Sequence, residues 1–198
     1  MKTRTIKIYS FNELDERTQQ SAIDNLRDLN THFEWWDFTF DDTKEIATIL
    51  GIDIDNIYFS GFSSQGDGAQ FTGSYAYSKG ASKRIRQHAP QDTELHQIAD
   101  NLQAIQRKHF YALSATVKSR GHYSHEMCTD ISVNDDRDLY FNTSFVATDE
   151  AITEYLRDFM RWIYSRLESE YEYLTSDEAI KDGIEANDYE FYDDGTIA

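Results

Sequence analysis

The segment His122-Tyr-Ser-His125-Glu-Met-Cys128-Thr-Asp130 gathers two imidazoles, a thiol and a carboxylate within nine residues. Each is a ligand type for zinc, which takes nitrogen, sulfur and oxygen donors in a tetrahedral array. Along a strand His122, Cys128 and Asp130 share one parity and His125 has the other, so ligation by all four needs a turn that bends them inward. No second cluster completes a finger pattern. The residues therefore predict a polar hairpin tip beside a buried cysteine, with no metal and no other cofactor.

A second stretch, FSGFSSQGDGAQFTG from Phe59 to Gly73, sets glycines and one acid between aromatic residues. A phosphate-gripping loop converges its N–H groups at the start of a helix. Here neither the dinucleotide nor the P-loop pattern is present, and the run from Phe71 to Tyr77 has strand period rather than helix period. Asp67-Gly68 instead signals a β-hairpin, because both tolerate positive φ. Gly61 and Gly73 are expected opposite one another, leaving room for a ring. Ser63, Ser64, Gln65 and Asp67 form a polar rim that a partner could touch.

Asp53-Ile-Asp55 precedes a strand and reads as a cap or a solvated loop. No serine occupies a G-x-S-x-G elbow, Cys128 has no nucleophile signature, and nothing selects an acid–base pair among 36 acids. No catalytic residue is assigned, and an enzyme is not expected.

Charge is the strongest global signal. The net charge is −17, and residues 135–198 hold 18 acids and 5 bases against 18 and 14 in residues 1–134. Within the latter, 79–121 holds eight bases and three acids, with Lys79, Lys83, Arg84 and Arg86 on one expected helix. An acidic field repels nucleic acid and membrane surfaces and attracts basic partners. One cysteine excludes an internal disulfide, and no apolar run is long enough to span a bilayer, so a cytoplasmic protein is expected.

The elements that must position these groups emerge from period and punctuation. Thr5–Tyr9 alternates as a strand, and Ser10-Phe-Asn-Glu13 has capping-box spacing for a helix through Leu29. A helix over Phe33–Leu50 ends at Gly51. Strands over Asn56–Phe62 and Gln70–Tyr77 form the hairpin, and a basic helix over Ser78–Ala89 stops at Pro90. Asp92 caps a helix with Leu95, Ile98, Leu102 and Ile105 on one face. Further strands lie over Tyr111–Lys118, Met127–Val133 and Leu139–Val146, with a turn at Asn134-Asp-Asp136. The helix over Asp149–Leu174 is strongly amphipathic, with Ile152, Leu156, Phe159, Ile163, Leu167 and Leu174 inward. Thr175-Ser-Asp-Glu178 caps a last helix, and Tyr189–Tyr192 forms an edge strand. The sum is a single α+β domain over residues 1–198, a mainly antiparallel sheet of hairpins packed with several helices and a long amphipathic C-terminal helix.

The strings IYSFNELDERTQQSAIDNLRD, DNIYFSGFSSQGDGAQFTGSYAYSKGA, HAPQDTELHQIADNLQAIQRK, GHYSHEMCTDI and EYEYLTSDEAI span nearly the whole chain. Through them it resembles a family of proteins carried by phages, prophages and plasmids, some labelled antitoxins. The resemblance transfers no residue role. It implies a mobile element and an encounter with host defence.

Together these features predict an acidic interaction protein that blocks a basic surface of a host protein that handles nucleic acid, as an inhibitor of a defence system or an antitoxin. It contacts neither nucleic acid nor membrane directly, and a homodimer is open to it. The partner-binding residues are Glu150, Glu154, Glu168 and Glu172 on the long helix, Asp177 and Glu178 beyond it, and Asp67 at the hairpin. Tyr171, Tyr173 and Trp35 are the expected aromatic anchors. Arg157 and Arg161 interrupt the acidic row and weaken strict DNA mimicry. The rival is a ligand-binding or enzymatic α+β domain whose cleft joins Asp67, His122 and His125. A third reading is a virion component that assembles through the rings of Phe33–Phe40.

Overall fold

The computed structural model describes residues 6–135 and 143–198, apart from the side chains of 143–146. Helices and inner strands follow in pairs: β1 (Tyr9–Ser10), α1 (Glu16–Asn25), α2 (Asp37–Leu50), β2 (Ile52–Phe59), β3 (Ala69–Ala76), α3 (Ala81–His88), α4 (Thr93–Lys108), β4 (Leu113–Ser119), β5 (Thr129–Asp135), α5 (Thr143–Leu174), α6 (Asp177–Ala186) and β6 (Glu190–Phe191). The fold is α+β and its sheets are antiparallel. The chain gathers into two compact units, one from Phe38 to Glu168 and a smaller one made of the residues up to Asp37 with Ser169–Ala198.

The larger unit is built on the four-stranded meander β2-β3-β4-β5. Leu113, Ala115 and Val117 of β4 are buried and alternate with more accessible residues, as a half-buried strand requires. Against the sheet lies α5, whose Ile152, Leu156, Phe159, Ile163 and Leu167 are fully buried on the expected face. Phe159 meets Phe71 of β3 edge-on at 6.1 Å and stacks on Trp162 at 5.6 Å. The Trp162 indole N–H donates to Asp92 at 2.8 Å, while the other oxygen of that carboxylate caps α4 by accepting from Leu95 N at 3.0 Å. One acid thus starts α4 and pins α5, which was legible only as a cap.

In the smaller unit β1 pairs with β6, and Phe11, Leu14, Ala22, Ile23, Ile180, Ile184 and Phe191 form its core. Gly183 allows α6 to approach closely: an added Cβ would stand 3.1 Å from Leu29 and 3.2 Å from Asn30.

Several boundaries differ from expectation. Ser10 and Glu13 do bond to each other (Ser10 N to Glu13 Oε2, 2.8 Å), but they close the 3₁₀ turn Phe11–Glu13, and α1 starts later under Asp15. It ends at Asn25, short of Leu29. Ile6–Ile8 are not strand, Thr5 lies outside the described residues, and only Tyr9–Ser10 finds a partner. The strand expected over Leu139–Val146 is overturned where it is described: Thr143–Val146 open α5, and Leu139–Asn142 lie outside the described residues. Strand propensity in Thr-Ser-Phe-Val yields there to helical continuity. Asn134 and Asp135 end β5 instead of turning, Asp136 being outside the described residues. The cap of α6 is Ser176, one residue after Thr175. Gly73 faces Ile54 across a β-bulge at Asp55, not Gly61. With φ at +150°, its missing Cβ would fall 2.0 Å from the Asp53 carbonyl oxygen, so backbone and not a ring needs the space. Among the described residues no helix is long and apolar enough to cross a membrane.

Candidate functional site

The smaller unit carries 17 acids and 6 bases, a net of −11, whereas the larger carries 19 and 13, a net of −6. Every acid of the smaller unit except Glu170 is exposed. On α6 the reason is geometric: Ile180 and Ile184 enter the core, which turns Glu178, Asp182 and Glu185, spaced by four and three, to the other side. Acids in its first turn also complement the positive end of the helix.

Neighbours fix α6 in place. Arg27 pairs with both Asp24 and Asp177 and donates to Thr175 O at 3.0 Å. The Arg27 hydrogen bond holds the Asp177 carboxyl below the usual carboxylate range. The Asn30 amide donates to Leu174 O at 3.1 Å and Ala179 O at 3.2 Å. After α6 the chain turns through Asp188 at φ +50°. A groove of about 310 Å³ opens there, lined by Ser10, Asn12, Glu185, Asp188, Tyr189 and Glu190 over a floor of Phe11 and Ile184. Three carboxylates and no base face it. Such a groove suits a lysine or arginine side chain.

The expected anchors separate. Trp35 is buried between Trp36 and Tyr171, with ring centroids 5.7 and 5.8 Å away, so it anchors the unit itself. Tyr173 is 62% exposed, and Phe33, which sequence reasoning placed in a helix, stands 63% exposed before α2.

The acidic residues singled out in the sequence fall in both units: Glu172, Asp177 and Glu178 in the smaller, Glu150, Glu154, Glu168 and Asp67 in the larger. Glu150 is exposed, but Glu154 is bound by Arg161, which also holds Asp158 at 2.6 Å and Glu126 at 3.4 Å. Burial disfavours the Arg161 charge, yet the hydrogen bonds to Asp158 and Glu154 outweigh it and raise the guanidinium pKa. The row on α5 is therefore not uniformly negative.

At the hairpin, nine residues join β2 to β3, because β2 ends at Phe59 and not at Phe62. The Asp67 carboxylate accepts from Ser64 N at 2.7 Å and Ser63 N at 2.9 Å, and these bonds lower its pKa. Asp67 shapes its own loop. The loop is held by Tyr164, whose hydroxyl donates to Gly61 O at 3.1 Å while its ring lies 5.4 Å from that of Phe62.

His125 approaches Gly68 so closely that an added Cβ would lie 2.9 Å from its ring. Its Nδ1 accepts from Met127 N at 3.1 Å, capping the 3₁₀ turn Glu126–Cys128. His122 is exposed, Cys128 is half-buried, and Asp130 pairs with Arg120 at 3.5 Å. Among the described residues no three His, Cys, Asp or Glu side chains are grouped to hold a metal. Asp53 and Asp55 lie exposed within the edge strand β2, not before it.

One constellation escaped sequence reasoning. His109 stands between Asp135 (Nδ1 to Oδ2, 3.3 Å) and Thr148 (Nε2 to Oγ1, 2.8 Å). Carboxylate, imidazole and hydroxyl are ordered as in a nucleophile relay. Asp135 and Thr148 are only 3% and 4% exposed, however, so the relay joins the C-cap of α4, β5 and α5 inside the unit and presents no nucleophile at the surface. No spacing in sequence signals it, because each member comes from a different element.

A family model described as a domain of unknown function (DUF8835) matches residues 35–177. The match contains the whole larger unit and ends on the first residue of α6. No curated protein and no solved structure matches the chain.

Proposed function

The chain belongs to the DUF8835 family, and for this member we propose an acidic interaction protein that binds and blocks a basic surface of another protein through its smaller unit. One observation carries the reading: in that unit nearly all acids are exposed, and of its few bases Arg27 is already paired with Asp24 and Asp177. Exposed carboxylates at this density speed association with a cationic surface more than they add affinity. Affinity then rests on the exposed rings Phe33 and Tyr173 and on a basic side chain entering the groove at Glu185, Asp188 and Glu190. The resemblance to chains from phages, prophages and plasmids suggests as partner a host protein that handles nucleic acid, which this chain would inhibit as an anti-defence protein or an antitoxin.

The test compares wild type with the triple variant Glu178→Gln, Asp182→Asn, Glu185→Gln as bait in host extract. The expected result is a basic protein retained by wild type at low salt, released as salt rises, and retained about tenfold less by the variant. Equal retention by both baits, or capture of acidic proteins only, defeats the reading.

A further inference from the structure

A second surface, on the larger unit, carries the opposite sign. A shallow groove of about 540 Å³ runs along the last turns of α4, lined by Asp100, Gln103, Ala104, Arg107 and Lys108. Asp100 is neutralised by Arg86, which grips both its oxygens at 2.6 and 3.0 Å. What remains on the lining is the positive charge of Arg107 and Lys108.

Aromatic rings are linked to this groove through Gln103. Gln103 also borders a small gap with Tyr77, and the Tyr77 ring packs on Tyr111 with centroids 4.4 Å apart and planes at 33°. Tyr111 is 45% exposed and its neighbour Phe110 is 78% exposed. Both adopt left-handed backbone, φ 65° and 54°, which turns the chain off the end of α4. The turn is rigidly held: Tyr111 N donates to Gln106 O at 2.7 Å, and the buried Gln106 amide donates to Leu113 O at 2.7 Å.

We propose that this groove binds single-stranded nucleic acid, with Arg107 and Lys108 on phosphates and the Tyr77–Tyr111 pair as a stacking platform for a base. Cationic grooves with adjoining rings suit unpaired strands because only an unpaired base offers its face to a ring. Charge alone would suit any polyanion; the ring pair selects this one. The net charge of −17 opposes the ligand at long range, but exposed charges beyond about 8 Å are screened at physiological salt, so the patch sets the local field. The proposal stands apart from the acidic unit and survives its failure.

The experiment is fluorescence anisotropy of a short labelled oligothymidylate with the full chain across a salt series, beside the same length of duplex. Expected are binding at low salt that weakens as salt rises, and weaker binding of the duplex. The double variant Arg107→Glu, Lys108→Glu should lose about tenfold or more in affinity, and Tyr111→Ala about tenfold. Circular dichroism checks folding; should Tyr111→Ala unfold, the charge reversal at two exposed sites still decides. No binding at low salt, equal affinity for duplex, binding indifferent to the charge reversal, or salt-sensitive self-association in its place would overturn the proposal.

Discussion

The two units handle charge in opposite ways. In the larger one, arginines are engaged by the fold: Arg161 collects Glu126, Glu154 and Asp158, Arg86 holds Asp100, and Arg84 donates to Ile49 O at 3.1 Å. Among the described residues of the smaller one, Arg27 bridges two acids, and most carboxylates face solvent. A formal charge count does not show this difference, since it treats a paired acid and a free-standing one alike. What a partner meets is the charge left over after internal pairing. Much of that remainder lies in the smaller unit, so of the surface read from the sequence the part on α6 and the turn after it stands more open than the part on the long helix, where Arg161 binds Glu154.

The units also differ in how tightly backbone meets backbone, and glycine replacement sharpens that contrast most strongly. Gly73 and Gly195 both have positive φ, but the Cβ of Gly73→Ala would lie 2.0 Å from Asp53 O in the sheet, whereas that of Gly195→Ala would lie 2.9 Å from Thr18 O. The first must part β2 from β3 at the bulge and should cost about 3 to 5 kcal/mol, strain and overpacking together. The second should cost about 1 to 2 kcal/mol. Urea unfolding of both variants checks the order; equal losses would mean that the bulge yields and the sheet is not the stiffer element.

A smaller effect probes the buried relay. His109→Ala removes one partner from both Asp135 and Thr148 and should destabilise the larger unit by about 2 to 3 kcal/mol. Chemical denaturation monitored by Trp162 fluorescence, with Trp35 and Trp36 of the smaller unit both replaced by Phe, reads that unit. A loss no greater than that of an exposed substitution would show that the relay contributes nothing to the fold.

Legibility in the sequence tracked burial. The inward face of α5 and the alternation of β4 were readable because one side of each is fully buried and the other is more accessible. The Asp92 cap was readable because its signal is local. In β3, by contrast, Ala69, Gln70 and Phe71 are buried in succession, so period gives no warning of the loop that precedes them. Capping-box spacing at Ser10–Glu13 described a real pair of hydrogen bonds yet named the wrong helix, because three residues suffice for a 3₁₀ turn. The acidic character of the candidate site was plain, but its location was not. Which acids are paired depends on arginines distant in sequence, as with Arg27 and Asp177. Trp35 was misplaced for the same reason: its burial depends on Tyr171, far along the chain.

The smallest effect tests whether Asp177 is paired in solution. Its carboxyl titrates below its ordinary value of 3.8, chiefly through the Arg27 hydrogen bond. A depressed folded value means that the unfolded chain takes up the proton first as pH falls. The stabilisation is therefore fully present above the ordinary value and is lost as pH drops through the folded one. An NMR titration of the Asp177 carboxyl should show its midpoint below 3.8, and Arg27→Gln should return it toward that value. The same variant should leave the Asp15 titration unmoved, because its low value comes first from the Thr18 N–H that it caps. If Asp177 titrates at its ordinary value in the wild type, it is unpaired and adds its full charge to the surface of α6. The contrast between the units then becomes larger, and the partner-facing remainder gains the residue that Arg27 otherwise withholds.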